Sequence, residues 1–107
     1  ASLFKPNEVE FKSTIKNNLF SNLSMTELAQ LCHLSLSSFK RKFSEVFDES
    51  PKKYINRKKL EKAASLLKSN DDRVSDIAYD VGFESIATFT RNFTTFYGKS
   101  PSEYRLS

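Results

Sequence analysis

The sequence predicts an all-α domain built from one helical unit used twice, and three observations carry that prediction. Only two Gly and three Pro occur in 107 residues, and no stretch alternates as a strand would, which favours helices joined by short turns. Ten Phe and four Tyr supply a core economical enough for a single domain of this length. The third observation is a repeat: Leu28-Ala29, Phe39, Arg41, Phe43, Phe47, Ser50-Pro51 and Tyr54 return as Ile77-Ala78, Phe89, Arg91, Phe93, Tyr97, Ser100-Pro101 and Tyr104. The offset is 49 residues at Leu28 and Ile77 and 50 from Phe39 and Phe89 onward, so one residue is inserted between the halves of the unit. Two copies are too few for a solenoid, which needs about three or more, and they read as one paired module.

The first helix is expected from Asn7 to about Leu19, with Val9, Phe11, Ile15 and Leu19 as its apolar positions. Ser24 precedes Glu27 by three residues, a capping-box spacing, and opens a short helix from Met25 to Cys32 that buries Leu28, Leu31 and Cys32. After the turn His33-Leu34-Ser35, Ser35 caps a third helix with Leu36, Phe39, Phe43, Val46 and Phe47 inside and Ser37, Ser38, Lys40, Arg41 and Ser44 outside. Ser50-Pro51 starts a long helix running to about Ser69, with Ile55, Leu60, Ala63, Leu66 and Leu67 apolar and Lys52, Lys53, Arg57, Lys58 and Lys59 exposed. Asn70-Asp71-Asp72 closes it. The second copy begins near Val74, buries Ile77, Ala78 and Val81, and turns at Gly82-Phe83. Gly82 suits a left-handed turn, and its counterpart His33 is among the few other residues enriched at positive φ. Ser85 to Phe96 forms the matching helix, buried through Phe89, Phe93 and Phe96, and Pro101 to Tyr104 begins a last short one.

The net charge of +4 is unevenly spread along the chain. Residues 1–39 hold three basic and three acidic side chains, residues 40–68 hold ten and four, and residues 71–107 hold four and six. A basic block in a helical segment suits a polyanion, because Lys and Arg that neutralise phosphates release condensed counterions; it also suits a solvated helix face. No apolar stretch approaches the roughly 18 residues of a membrane span, no signal-peptide core is present, and the single Cys excludes an internal disulfide, so a cytoplasmic setting is expected.

A short helix, a tight turn and a second helix with small polar and basic residues on its outer face describe a helix-turn-helix, and this chain contains two. In such units the second helix lies in the major groove, where Arg, Lys, Ser and Thr reach base edges and Ala or Ile meets a thymine methyl. Joined by one long helix of roughly 18 residues, on the order of 27 Å, two such helices could address successive turns about 34 Å apart.

From about Ser24 to Tyr104 the chain resembles the DNA-binding domain of the AraC/XylS family of bacterial transcription regulators. The resemblance rests on Ile77-Ala78-Tyr79-Asp80-Val81-Gly82-Phe83-Glu84-Ser85, on Phe89-Thr90-Arg91-Asn92-Phe93, and on Phe96-Tyr97-Gly98-Lys99-Ser100-Pro101 with Tyr104-Arg105. It implies seven helices in two helix-turn-helix subdomains, 7–50 and 70–107, joined by a linker helix over 51–69, all within one DNA-binding domain. It also implies a transcriptional role and an asymmetric site on double-stranded DNA. By position, its base-facing residues fall on Ser37, Ser38, Lys40 and Arg41, and on Ser85, Ile86, Ala87, Thr90 and Arg91. Ile86 departs from the polar residues common there and favours a methyl contact. Phosphate contacts are expected from Ser35, Lys52, Lys53 and Arg57. RNA polymerase is a second implied partner, an effector or signalling domain is expected outside this chain, and the isolated domain is expected to be monomeric.

Other classes fit less well. The phenylalanine pairs lie on apolar stripes and read as core, as does Cys32. One His and one Cys adjacent in sequence cannot face each other for catalysis, and neither a glycine-rich phosphate loop nor a metal-ligand cluster is present, so neither an enzyme nor a cofactor is expected. A helical module binding an acidic protein would explain the charge, but not why two outer helix faces repeat Arg among small polar neighbours.

Overall fold

The computed structural model describes residues 8–107. Among the described residues the chain forms seven helices and no strand: α1 (Glu8–Asn17), α2 (Met25–Leu31), α3 (Leu36–Phe47), α4 (Pro51–Ser69), α5 (Val74–Asp80), α6 (Ile86–Tyr97) and α7 (Pro101–Leu106). The expected start of the first helix at Asn7 lies outside the described residues.

Two compact units divide the chain, one of residues 1–19 and 23–55, the other of residues 20–22 and 56–107. The boundary falls inside α4, whose Tyr54 and Ile55 belong to the first core and whose Leu60, Ala63, Ala64 and Leu67 belong to the second.

In the first unit, Phe11 and Ile15 of α1 meet Leu28 and Ala29 of α2 and Phe39 and Phe43 of α3. The Phe11 ring lies 5.9 Å from Phe39 and 6.1 Å from Phe43, and Phe43, Phe47 and Tyr54 close a triad at 4.4, 5.5 and 4.5 Å. The second unit repeats the device with Phe93, Tyr97 and Tyr104 at 4.6, 5.4 and 5.1 Å. Tilted and edge-on ring pairs at these separations add to the burial itself. Leu60, 49 residues after Phe11 and equally buried, gives the second core the helix that α1 gives the first. The repeat therefore begins earlier than its sequence signature.

Helix ends follow local chemistry. Ser24 and Glu27 form the expected capping box, Ser100 and Glu103 form a second one, and each satisfies two amides at a helix start. Ser35 and Ser85 each accept one amide, from Ser38 and Thr88, at 3.2 Å. Ser85 is thus the cap of α6, and that helix runs Ile86–Tyr97 rather than from Ser85 to Phe96. At the end of α4, the Arg105 guanidinium donates to the Leu67 and Asn70 carbonyls at 3.0 and 3.2 Å.

Four apolar residues expected inside are outside, among them Leu36, the first residue of α3 and 37% exposed. Val9 is 77% exposed because it stands two residues, about 200° of helix, from Phe11. Leu31 and Phe96 are each 47% exposed, since the buried stripes run through Leu28, Ala29 and Cys32 and through Phe89, Phe93 and Tyr97, leaving both at an edge. Lys59 errs the other way: it is half-buried, and its ammonium donates to the Gly82 carbonyl at 3.0 Å. Lys58 is likewise only half-exposed, 3.6 Å from the Glu61 carboxylate. No helix among the described residues is long and apolar enough to cross a membrane.

Candidate nucleic-acid interface

Each unit contains a helix-turn-helix with the same backbone wiring. Between α2 and α3 the chain bends at His33, φ 58°, and the Leu34 amide donates back to the Ala29 carbonyl at 3.0 Å. Between α5 and α6 it bends at Gly82, φ 100°, and the Phe83 amide donates to the Ala78 carbonyl, also at 3.0 Å. Glu84 is the extra residue that moves the offset from 49 to 50, and it is taken up after the bend, before the Ser85 cap.

On α3, Ser37, Lys40 and Arg41 are exposed and Ser38 is half-buried, opposite the buried Phe39 and Phe43. The Ser35 oxygen is occupied as a cap, while its O–H remains a donor at the start of the helix, where backbone amides favour an anion. On α6, Ile86, Ala87 and Arg91 are exposed, and Ser85 and Thr90 are half-buried. Ile86 is an apolar side chain presented to solvent at the first turn, open to a methyl group but offering no hydrogen bond. Among the described residues, the side chains of Lys40, Arg41 and Arg91 make no ion pair or hydrogen bond within the protein.

The expected phosphate-binding residues differ among themselves. Lys52 and Lys53 are exposed at the first turn of α4, in the first unit. Arg57 belongs to the second unit and is half-buried beside the Glu61 carboxylate at 3.4 Å, which offsets part of its charge. Ser35, Ser37, Ser38, Lys40 and Arg41 share the first unit with Lys52 and Lys53, and Ser85, Ile86, Ala87, Thr90 and Arg91 share the second with Arg57.

Two residues outside the expected base-facing set lie on these faces, Ser44 as already placed there and Thr94 in addition. Ser44 and Thr94, 50 residues apart, are exposed one turn beyond Lys40 and Thr90, and the i+4 spacing is the signal that marks them. The Thr94 hydroxyl donates to the Thr90 carbonyl at 2.7 Å. Cys32 is buried, and burial pushes its thiol up from the ordinary value, as suits a small core side chain.

Folding redistributes the charge that looked lopsided along the chain. The basic block straddles the boundary in α4, and the two units carry eight basic against six acidic and nine against seven side chains, +2 each. The asymmetry survives in the outer helices: α3 contains Lys40, Arg41 and Lys42 against Glu45, whereas Arg91 is the one charged residue of α6.

Comparisons with known proteins agree with this architecture. A family model described as helix-turn-helix domain matches residues 28–107. The chain is 36% identical over 96 residues, 90% of its length, to the uncharacterized HTH-type transcriptional regulator YfiF of Bacillus subtilis, of which the match covers 30%. Among solved structures, the C-terminal domain of the two-component response regulator yesN from Fusobacterium nucleatum aligns with TM-score 0.84 and 26% identity, over 89% of this chain and 93% of that one. The DNA-binding domain of AdpA, described as a global transcriptional factor in complex with a target DNA, aligns with TM-score 0.86 and 24% identity, over 96% and 92%, a likeness of fold. Two helix-turn-helix turns with common wiring, the signature through Gly82 and Pro101, and the family match together establish that the chain belongs to the AraC-type helix-turn-helix family, the DNA-binding domains of transcription regulators.

Proposed function

We propose that α3 and α6 are the recognition helices of two reading heads that enter successive major-groove segments of one asymmetric double-stranded site. The observation that carries this reading is the equivalence of Arg41 and Arg91: each is exposed, each stands six residues after a serine cap, and neither is engaged by another side chain among the described residues. An arginine held this way retains all its donors for a guanine edge or a phosphate. Ser37, Ser38 and Lys40 in the first head, and Ser85, Ile86, Ala87 and Thr90 in the second, complete the base-facing set. Ser35, Lys52, Lys53 and Arg57 hold the backbone, with Arg57 weakest because Glu61 already pairs with it.

Selection from a random duplex library, followed by titration of the winner against scrambled DNA at several salt concentrations, tests the reading. An asymmetric site with two short blocks and a salt slope set by the number of phosphates contacted is expected. One enriched block would mean that one head reads bases, and none would favour a protein partner. Lys40→Ala and Arg41→Ala should each weaken binding more than Arg91→Ala at matched salt, because α3 is the more basic helix. Equal losses would mean that the more basic α3 contributes no more to affinity than α6.

The chain spans about 30% of its Bacillus relative. In a regulator of that length, we take this domain as the DNA address, with signal sensing and contact with RNA polymerase assigned to the whole protein, in the cytoplasm. The isolated domain binds as a monomer; sedimentation as a tight dimer would contradict that.

A further inference from the structure

Gly82 is held from two sides by elements outside its own hairpin. The Lys59 ammonium, halfway along α4, donates to its carbonyl at 3.0 Å and lies 5.8 Å from the centre of the adjoining Phe83 ring. On the other side the Gly82 Cα presses on a main chain: a Cβ there would come within 2.8 Å of the Phe20 carbonyl oxygen and 3.0 Å of that of Ser21. All five residues belong to the second unit. Placing an ammonium here opposes its solvation, and burial pushes Lys59 below the ordinary lysine value while the Glu84 carboxylate pulls the other way.

The matched positions of the first unit carry different residues. Forty-nine residues before Lys59 and Gly82 stand Glu10 and His33, which line one surface cavity. A carboxylate has no proton to give a carbonyl, so the first turn is not tied to its supporting helix by the same bond. The difference is chemical, at matched positions of one repeat.

We propose that Lys59 is a positioning residue for the second recognition helix: by fixing the Gly82 carbonyl from α4, it sets the angle at which α6 presents Ile86, Ala87, Thr90 and Arg91. This inference rests on the reading of α6 as a DNA-reading helix. Its consequence is that discrimination at the second block depends on a side chain that touches no base. The first block, read by α3 in the other unit, does not depend on Lys59.

The test compares Lys59→Met and Lys59→Arg with the unsubstituted chain in binding-site selection, together with amide hydrogen exchange at Phe83. Lys59→Met is expected to keep the first block and lose discrimination at the second by about tenfold or more, the size of one charge-assisted hydrogen bond, while Lys59→Arg retains both. The Phe83 amide should exchange faster in Lys59→Met and near the original rate in Lys59→Arg. Retention of both blocks by Lys59→Met, equal loss of both, or failure of Lys59→Arg to rescue would overturn the proposal. Should the unsubstituted chain select no block, the DNA reading fails by itself; exchange at Phe83 still judges the tether, and an unchanged rate in Lys59→Met rejects it.

Discussion

The turn between α2 and α3 bends at an exposed histidine, and the turn between α5 and α6 bends at a buried glycine, yet both close with the same backbone hydrogen bond at 3.0 Å. His33, at φ 58°, lies within the small left-handed region that side-chain-bearing residues can enter. Gly82, at φ 100°, lies beyond it, with a neighbouring main chain where a Cβ would go. The repeat is therefore preserved in its hydrogen bonds and backbone angles, while each residue answers to what packs against its own turn. A histidine serves where the turn faces solvent; only glycine serves where another segment is laid across it.

The largest test of this likeness is in the cores. Phe43→Ala and Phe93→Ala should each lose about 3–5 kcal/mol, measured by denaturant unfolding, because both rings are fully buried. Phe43 also meets the ring of Phe11, whereas leucine stands at the corresponding place in the second unit, so Phe43→Ala should be the costlier. A larger loss at Phe93 would mean that the aliphatic side of the second core is the tighter one.

Next come the turns. Gly98→Ala, at φ 75° with open space around the added carbon, should lose about 1–2 kcal/mol of backbone preference. Gly82→Ala should lose more, since the new carbon would also collide with the Phe20 carbonyl. Asp48→Gly, at φ 59° and 50 residues before Gly98, should stay within about 1 kcal/mol of the parent, relief of strain and added unfolded-state freedom opposing each other. Thermal unfolding of the three variants ranks them, and a Gly82→Ala no worse than Gly98→Ala would remove close packing from the account.

Smaller effects separate the helix starts. Ser24→Ala should lose about 1 kcal/mol, while Arg73→Ser should gain up to about that much, because α2 has a full capping box and α5 begins at Arg73 with no side-chain cap. Unfolding midpoints of the two variants moving in the same direction would contradict this.

The smallest effect is a titration. The Ser100 amide, then its hydroxyl, and Lys99 hold the exposed Glu103 carboxylate below the ordinary value, whereas the corresponding residue at the start of α4 is Lys53. A carboxylate with a depressed folded-state value contributes stability above the ordinary carboxylate range and loses it as pH falls through that depressed value. Carbon NMR should find Glu103 titrating below the ordinary range, and Ser100→Ala should move it upward; an unmoved midpoint would mean that the hydroxyl contributes nothing.

Much of the fold was legible because it is written locally. Ser24, Ser35 and Ser50 mark helix starts, Gly82 and His33 mark bends, and the spacing of Phe39, Phe43, Phe89 and Phe93 marks the buried faces. The candidate interface was legible to the extent that it is the complement of those faces. Thr94 went unassigned, and Ser44 stood on the outer face without a contact role, because periodicity gives a face but not where along it a ligand would end. Lys59 was misread because a lysine in a basic run has the same local pattern whether its head meets water or a carbonyl 23 residues away.

What the sequence determined by itself is the repeat, the helices, most of their caps and the positive-φ bends at His33 and Gly82, all consequences of covalent geometry and of hydrogen bonds spanning a few residues. Tertiary structure alone decided that Val9, Leu31, Leu36 and Phe96 face outward, that Lys59 is half-buried, that α4 is shared between two cores, and that a chain with a +6 middle folds into two units of +2. Those outcomes depend on which distant surface reaches a helix face, because burial and charge environment are properties of the assembled neighbours rather than of any one segment.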